Sequence, residues 1–253
     1  MHNPIRDILT WLVILIIGPI VGMVFLIFQC RGMIKIEGYW KTFRDILRGN
    51  VVIISNHPTM RDPLIYVGMW WWACILFPRR FLVWNLPGTN YFDDMLSKLT
   101  RGIWTKFPQW IYPIIHCIPV DRTGENHKEV IKKANQVVMN GRTLIIFGET
   151  RRTGSRDRND PDAEIVFIYN PDASRQMQPF SAAVIKTTAK KNARFIVAWI
   201  DYSNWRNDPG FGLKAWWKGK HQITISFGKS YHPDTNLSLA KLLLNTQQQV
   251  LSA

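Results

Sequence analysis

Val51-Val52-Ile53-Ile54-Ser55-Asn56-His57-Pro58-Thr59-Met60-Arg61-Asp62 is the stretch from which the rest of the chain can be read. Its β-branched apolar run predicts a buried strand. That strand delivers a histidine to a turn, and an aspartate follows five residues later. An imidazole with a carboxylate behind it can take a proton from a hydroxyl. The carboxylate bonds one ring nitrogen and fixes the tautomer, which leaves the other nitrogen as base. A purely structural reading stands beside this one. Asp62-Pro63 has the pattern of an N-cap followed by proline at the first helical position, and a carboxylate has acceptor sites for both roles. Six histidines and thirteen aspartates in 253 residues give about 0.3 accidental His-x4-Asp pairs, so the pair alone decides nothing.

The composition narrows the setting. A chain of 253 residues with 47% hydrophobic content makes one large domain, or one domain and an appendage. A net charge of +14 calls for an anionic partner, either nucleic acid or an acidic membrane surface. Twelve tryptophans favour the membrane, because an indole sits half buried at the lipid–water boundary with its N–H wet. No nucleic-acid-binding motif is visible, and the aromatic residues cluster with apolar ones rather than alternating with basic ones. Cys30, Cys74 and Cys117 are odd in number and lack metal-ligand spacing. They read as small buried hydrophobes in a reducing compartment, with no metal site expected.

Ile8 to Phe28 is a 21-residue run without a formal charge, long enough to cross a bilayer core of about 30 Å. Residues 1–32 are therefore expected to form a membrane anchor and 33–253 the working domain. Gly18-Pro19 at the midpoint predicts either a kinked spanning helix or a re-entrant hairpin. Arg31, Lys35, Lys41, Arg44 and Arg48 follow the run and only Arg6 precedes it, so the domain is expected on the cytoplasmic side of a membrane.

Further along, the patterns predict strands at Met33–Glu37, Arg80–Trp84, Ile114–Val120, Thr143–Phe147, Arg194–Ile200 and His221–Phe227. Helices are expected at Tyr39–Leu47, Pro63–Phe77, Tyr91–Phe107, Ser181–Lys191 and Leu237–Val250. One more helix is capped by Asn126, with Glu129 at the capping-box position and an apolar stripe of Val130, Ala134, Val137 and Val138. The helix from Pro63 carries Trp70-Trp71-Trp72. Consecutive side chains point about 100° apart, so one face cannot bury all three, and burial of two is expected. Gly148–Ala163 reads as a long polar loop. Strands alternating with helices predict an α/β domain with a largely parallel mixed sheet flanked by helices. In such sheets chemistry gathers beyond the strand ends, where Asn56, His57, Asp62, Asp121, Arg122, Glu149, Thr150, Arg151 and Arg152 all fall.

Four blocks in this order are similar to those of the glycerolipid acyltransferases, above all the 1-acylglycerol-3-phosphate and related lysophospholipid acyltransferases. They are Asn56-His57-x4-Asp62, Ile118-Pro119-Val120-Asp121-Arg122, Phe147-Gly148-Glu149-Thr150-Arg151 and Phe195–Ile200, and the resemblance covers about residues 33 to 230. It implies transfer of a fatty acyl group from an acyl-CoA or acyl carrier protein thioester to a lipid hydroxyl. His57 is then the general base and Asp62 its orienting carboxylate. No covalent acyl-enzyme and no bound cofactor are required. Arg122 is implied to hold the acceptor's phosphate, which a guanidinium can grip through two parallel hydrogen bonds. Glu149, Thr150 and one of Arg151 or Arg152 complete the substrate-binding set, the glutamate either binding the acceptor or ordering the site.

Two departures put the acceptor in question. The third block of the family usually reads Phe-Pro-Glu-Gly-Thr-Arg-Ser, and here a glycine precedes the glutamate instead of following it. Either Arg152 (ungapped) or Arg151 (with one deletion) matches the family arginine. The fourth block usually holds a proline where Ala198-Trp199 stands. The cationic loop Arg151–Arg158 is either a solvated loop or a phosphate trap. The implied partners are a bilayer, a lysophospholipid acceptor such as 1-acylglycerol 3-phosphate, and an acyl-CoA or acyl carrier protein, with no nucleic acid. Another acceptor (lyso-ornithine lipid, a different lysophospholipid, glycerol 3-phosphate) or a non-catalytic basic membrane-tethered binding protein is the competing expectation.

Overall fold

The computed structural model describes residues 4–56, 62–87, 93, 97, 100–102, 106, 108, 110–120, 126–148, 168–169, 175–177, 183–202 and 222–253. Eight helices and seven strands are seen among them. The helices are α1 (Pro4–Cys30), α2 (Tyr39–Arg48), α3 (Asp62–Met69), α4 (Trp71–Leu76), α5 (Pro78–Phe81), α6 (His127–Met139), α7 (Ala183–Ala189) and α8 (Leu239–Leu251). The strands are β1 (Ile34–Glu37), β2 (Val51–Ser55), β3 (Thr143–Phe147), β4 (Ile168–Tyr169), β5 (Gln176–Met177), β6 (Arg194–Tyr202) and β7 (Ile223–Phe227).

Five strands form one mixed sheet in the order β1-β7-β6-β2-β3, and β4 with β5 makes a small separate hairpin. β2 runs parallel to both neighbours, β1 is parallel to β7, and only β6–β7 is antiparallel. The largely parallel sheet expected from the sequence is the observed one. Every residue of β2 is buried, as its β-branched composition demands of a central strand with helices on both faces.

The alternation along the strands divides the interior in two. Val51, Ile53, Ile145, Ile196, Ile200 and Ile225 point to a core shared with α1 to α5. Val52, Ile54, Leu144, Ile146, Phe195 and Val197 point to a second core under α6, α7 and α8. The stripe Val130, Ala134, Val137 and Val138 is the buried face of α6, as its spacing predicts.

Several expectations need correction. The helix expected from Pro63 to Phe77 is two, broken at Trp70 (φ −114°, ψ 23°). Trp70 alone of the three tryptophans is fully buried; Trp71 and Trp72 are half-buried. Arg80–Trp84 is not a strand. Pro78 starts a helical turn, for which its fixed φ suits it, and only Trp84 and Asn85 reach a neighbouring strand. Of Ile114–Val120, only Cys117–Val120 runs extended beside that segment. Asn126 caps α6 by position without a side-chain bond, and its amide donates instead to the Pro119 carbonyl (3.1 Å). Most of the helix expected at Tyr91–Phe107, and the loop from Glu149 to Ala163, lie outside the described residues.

α1 is bent by 45° between Thr10–Ile16 and Gly18–Cys30. Pro19 cannot donate to the Leu15 carbonyl, which accounts for a bend there. The bend is a kink and not the reversal of a hairpin. No single described helix is long and apolar enough to cross a membrane; the two halves of α1 meet the requirement only together. One side of α1 is fastened to the domain along most of its length. The Thr10 hydroxyl donates to the Ile114 carbonyl (3.1 Å), Gly22 lies against the Trp71 indole, and Phe25 and Phe28 are buried in the first core.

Candidate active site

The site is built at the carboxyl edge of the parallel strands. β2 pairs with β3 up to Ser55↔Phe147, and the Gly148 N–H then donates to the Ser55 carbonyl (3.1 Å). Beyond β3 the parallel order continues in two short segments. Trp84 bridges Leu144, Asn85 bridges Cys117, and the Val120 N–H donates to the Pro87 carbonyl (2.8 Å). β2, β3, residues 84–87 and residues 117–120 therefore run side by side in one direction. At about 4.8 Å per strand, the first and last are about 14 Å apart.

Each of the three sequence blocks leaves this edge at a comparable point. His57 follows Ser55 by two residues, Glu149 follows Phe147 by two, and Arg122 follows Val120 by two. His57, Arg122, Glu149, Thr150, Arg151 and Arg152 themselves lie outside the described residues. α3 begins at Asp62, one residue earlier than the reading of Asp62 as N-cap and Pro63 as first helical residue implies; the side chain of Asp62 also lies outside the described residues. What the fold brings together is the strand ends that carry these residues.

The anchor of this edge is Asn56. It is buried, and its side chain takes the place of a strand backbone where β2 stops. The amide nitrogen donates to the Ile200 carbonyl (2.9 Å), and the Ile200 N–H donates to the amide oxygen (2.8 Å). The Ser55 hydroxyl donates to the same oxygen (3.3 Å). The residue before His57 is thus fixed to β6, 144 positions away in sequence. Sequence reading placed Asn56 at the strand end without assigning it this task.

A ledge stands beside the edge. Ser55 pairs with Ala198, but β6 continues to Tyr202, with β7 and then β1 alongside it. Four residues at about 3.3 Å each make a wall about 13 Å tall past the ends of β2 and β3. Ile34, where β1 begins just after α1, pairs with Ile223 at the top of that wall, so the last turn of α1 reaches the same edge. The described residues on either side of Arg122 are tied to each other, since the Asn126 amide donates to the Pro119 carbonyl.

Both departures from the family pattern have a local account. At Gly148 the backbone N–H is used, which proline could not provide. At Trp199 the indole lies under the Arg175 guanidinium, 5.2 Å from the ring centroid.

Two of the three thiols are structural. Burial pushes Cys74 and Cys117 up to about 12, so neither is a thiolate near neutral pH. His116, beside Cys117, is buried with its ring 4.6 Å from the Trp84 ring. Cys30 is exposed. In detergent-solubilised native protein a maleimide will label Cys30 alone, with Cys74 and Cys117 labelled only after denaturation, as read by peptide mass spectrometry. Rapid native labelling of Cys117 with loss of turnover would bring a thiol nucleophile back into contention. Among the described residues no cluster of three or more His, Cys, Asp or Glu could hold a metal ion. A cavity of about 380 Å³ at Tyr231, Leu237 and Thr246 lies elsewhere, because Tyr231 bridges Phe195 at the amino end of β6.

No family model matches the sequence, and none of the curated proteins matches it. Among solved structures, the chain is similar to the crystal structure of the 1-acyl-sn-glycerophosphate (LPA) acyltransferase from Thermotoga maritima. The TM-score is 0.54 at 14% sequence identity, over 94% of this chain and 77% of that one. At that identity the likeness is one of fold: the chain has a glycerolipid-acyltransferase-like α/β fold.

Proposed function

We propose that the chain is a membrane-associated O-acyltransferase. It moves a fatty acyl group from a CoA or acyl-carrier-protein thioester to the hydroxyl of a lysophospholipid, 1-acylglycerol 3-phosphate in the first instance, giving phosphatidic acid. The observation that carries this reading is the parallel run of β2, β3 and residues 117–120, which end together just before His57, Glu149 and Arg122. The fold shared with a lysophosphatidate acyltransferase supports it.

In this mechanism the free ring nitrogen of His57 takes the acceptor's hydroxyl proton while Asp62 holds the other nitrogen. The oxygen attacks the thioester carbonyl, a tetrahedral intermediate forms, and the carbon–sulfur bond breaks. The leaving thiolate recovers the proton from the imidazolium. The acyl group passes directly between substrates, so the high thiol pKa values of Cys74 and Cys117 are no obstacle. Arg122 holds the acceptor phosphate through two charge-assisted hydrogen bonds. Glu149, Thr150 and Arg151 or Arg152 line the remainder of the pocket, and the domain works on the cytoplasmic face. A different acceptor within the same reaction is the second reading, favoured by Gly148 and Trp199.

One experiment separates these readings. Purified protein is given one radiolabelled acyl donor and a panel of 1-acylglycerol 3-phosphate, glycerol 3-phosphate, other lysophospholipids and a lyso-ornithine lipid. Arg122→Ala is expected to raise KM for phosphate-bearing acceptors about 10- to 100-fold, the worth of a bidentate charged contact. It should leave a phosphate-free acceptor unchanged, and Arg122→Lys should recover only part. An equal effect on all acceptors would remove Arg122 from the phosphate site.

A further inference from the structure

Sixteen large hydrophobic side chains are exposed among the described residues, and their distribution is uneven. Nine are on α1, and Trp40, Leu76 and Phe77 are on the adjoining α2–α5 layer. Trp110 and Ile115 flank the turn to which Thr10 is bonded. Only Met139 and Leu244 belong to the layer of α6 to α8 on the other face of the sheet. A soluble surface carries such residues singly; a one-sided concentration marks a binding face.

The part of this face outside α1 has its own construction. Phe43 stacks on Trp72 (5.1 Å) and Phe81 (4.8 Å), with Trp40 edge-on to Phe43 (5.9 Å) and Phe77 tilted against Phe81 (6.4 Å). The aromatic network therefore reaches the surface at Trp40 (67% exposed) and Phe77 (43%), next to Leu76 (64%). It is continuous with α1 through Trp11, whose indole N–H donates to the Ile75 carbonyl (3.5 Å), and through Trp71 against Gly22. The exposed charges of α2 are Lys41, Arg44 and Arg48, and its one acid, Asp45, is buried against Arg48 and Arg194. The face is apolar and aromatic with a cationic rim.

We infer that the α2–α4–α5 face, at Trp40, Leu76 and Phe77 with Lys41 and Arg44 at its rim, is a second membrane-contact surface that docks on anionic lipid beside α1. α1 is fastened to this layer from Trp11, bonded to Ile75, to Phe28, so the bilayer that receives its free side also meets α4 and α2. Indoles and phenyl rings suit the interfacial zone, and the cations suit the negative surface potential. The inference extends the proposed membrane association, but its readout is depth and not turnover, so either can fail alone.

The test uses full-length Cys30→Ser protein in vesicles of phosphatidylcholine with phosphatidylglycerol and a spin-labelled lipid quencher. Trp40→Cys, Leu76→Cys, Met139→Cys and Ile16→Cys each carry an environment-sensitive fluorophore. Ile16 reports attachment through α1, and Met139 the opposite face. Labels at 40 and 76 are expected to shift to the blue and to be quenched several-fold more than the label at 139. With Lys41→Gln and Arg44→Gln together, the docked-to-undocked ratio on anionic vesicles should fall about 30-fold, the factor for two cations lost near the surface. If 16 is quenched while 40 and 76 stay as wet as 139, the inference is overturned. It is equally overturned if 40 and 76 shift without lipid, either with rising protein concentration (a second copy) or on adding acyl carrier protein (an acidic partner).

Discussion

Alanine in place of His57 will lower kcat/KM for acyl transfer about 10²- to 10⁴-fold, the range supplied by a positioned general base. That is about 3–5 kcal/mol of transition-state stabilisation. The circular-dichroism spectrum and thermal midpoint should be unchanged, because the sheet ladder of β2 ends at Ser55, before His57. The drop should appear in kcat and not as a rise in KM, since proton removal is an event of the transition state. Asp62→Asn divides the two readings of that residue. Asparagine keeps the size and acceptor oxygen of aspartate at the start of α3, so a purely helix-starting role predicts near-normal turnover. An orienting role predicts a kcat loss that approaches the histidine's, because the amide cannot stabilise the imidazolium. Wild-type turnover in purified His57→Ala protein would end the mechanism proposed for this edge.

The sequence was most informative where one physical requirement dominated. Val51–Ser55, residues 143–146 and residues 195–200 are mainly apolar runs rich in β-branched residues because they are buried on both faces, and that burial is written in composition. The strand ends before His57 and Glu149 were legible for the same reason, whereas Arg122 follows a short bridged segment and not a central strand. The reading failed where neighbours compete. Phe81-Leu82-Val83-Trp84 looks like a strand, but Pro78 had already committed the chain to a helical turn, and only Trp84 and Asn85 were left for the ladder. Three consecutive tryptophans gave no hint that the helix breaks at the first, which is the one the core takes. Asn126 kept its place at the start of α6 but gave its amide to Pro119, a tertiary partner that no local pattern encodes. Asn56 is the extreme case, since its partner Ile200 belongs to another strand and a single sequence contains no trace of the pairing.

Asn56→Leu will be the most damaging substitution at this edge for stability. Leucine has a similar volume and no polar atoms, so it strips both partners from the Ile200 peptide. Each buried backbone group left unpaired costs about 1–3 kcal/mol, and the two together about 2–6 kcal/mol. Chemical denaturation should show the midpoint falling with the slope unchanged. Asn56→Asp provides the sharper control. A protonated carboxyl can accept from the Ile200 N–H and donate to its carbonyl, while a carboxylate can only accept and would face that carbonyl with a charge. The folded state therefore favours the protonated form, and the folded pKa of the new carboxyl lies above the unfolded value of about 3.9. The variant should be close to wild type below that pH and lose stability as pH rises, the opposite of the usual acid lability of carboxylates. Above its folded pKa it should also lose kcat more than KM, since the strand end that presents His57 is released while substrate contacts persist. A flat pH–stability profile for Asn56→Asp, or full stability of Asn56→Leu, would mean that the Ile200 clamp does not hold β2 to β6, and the geometry proposed for the imidazole would lose its support.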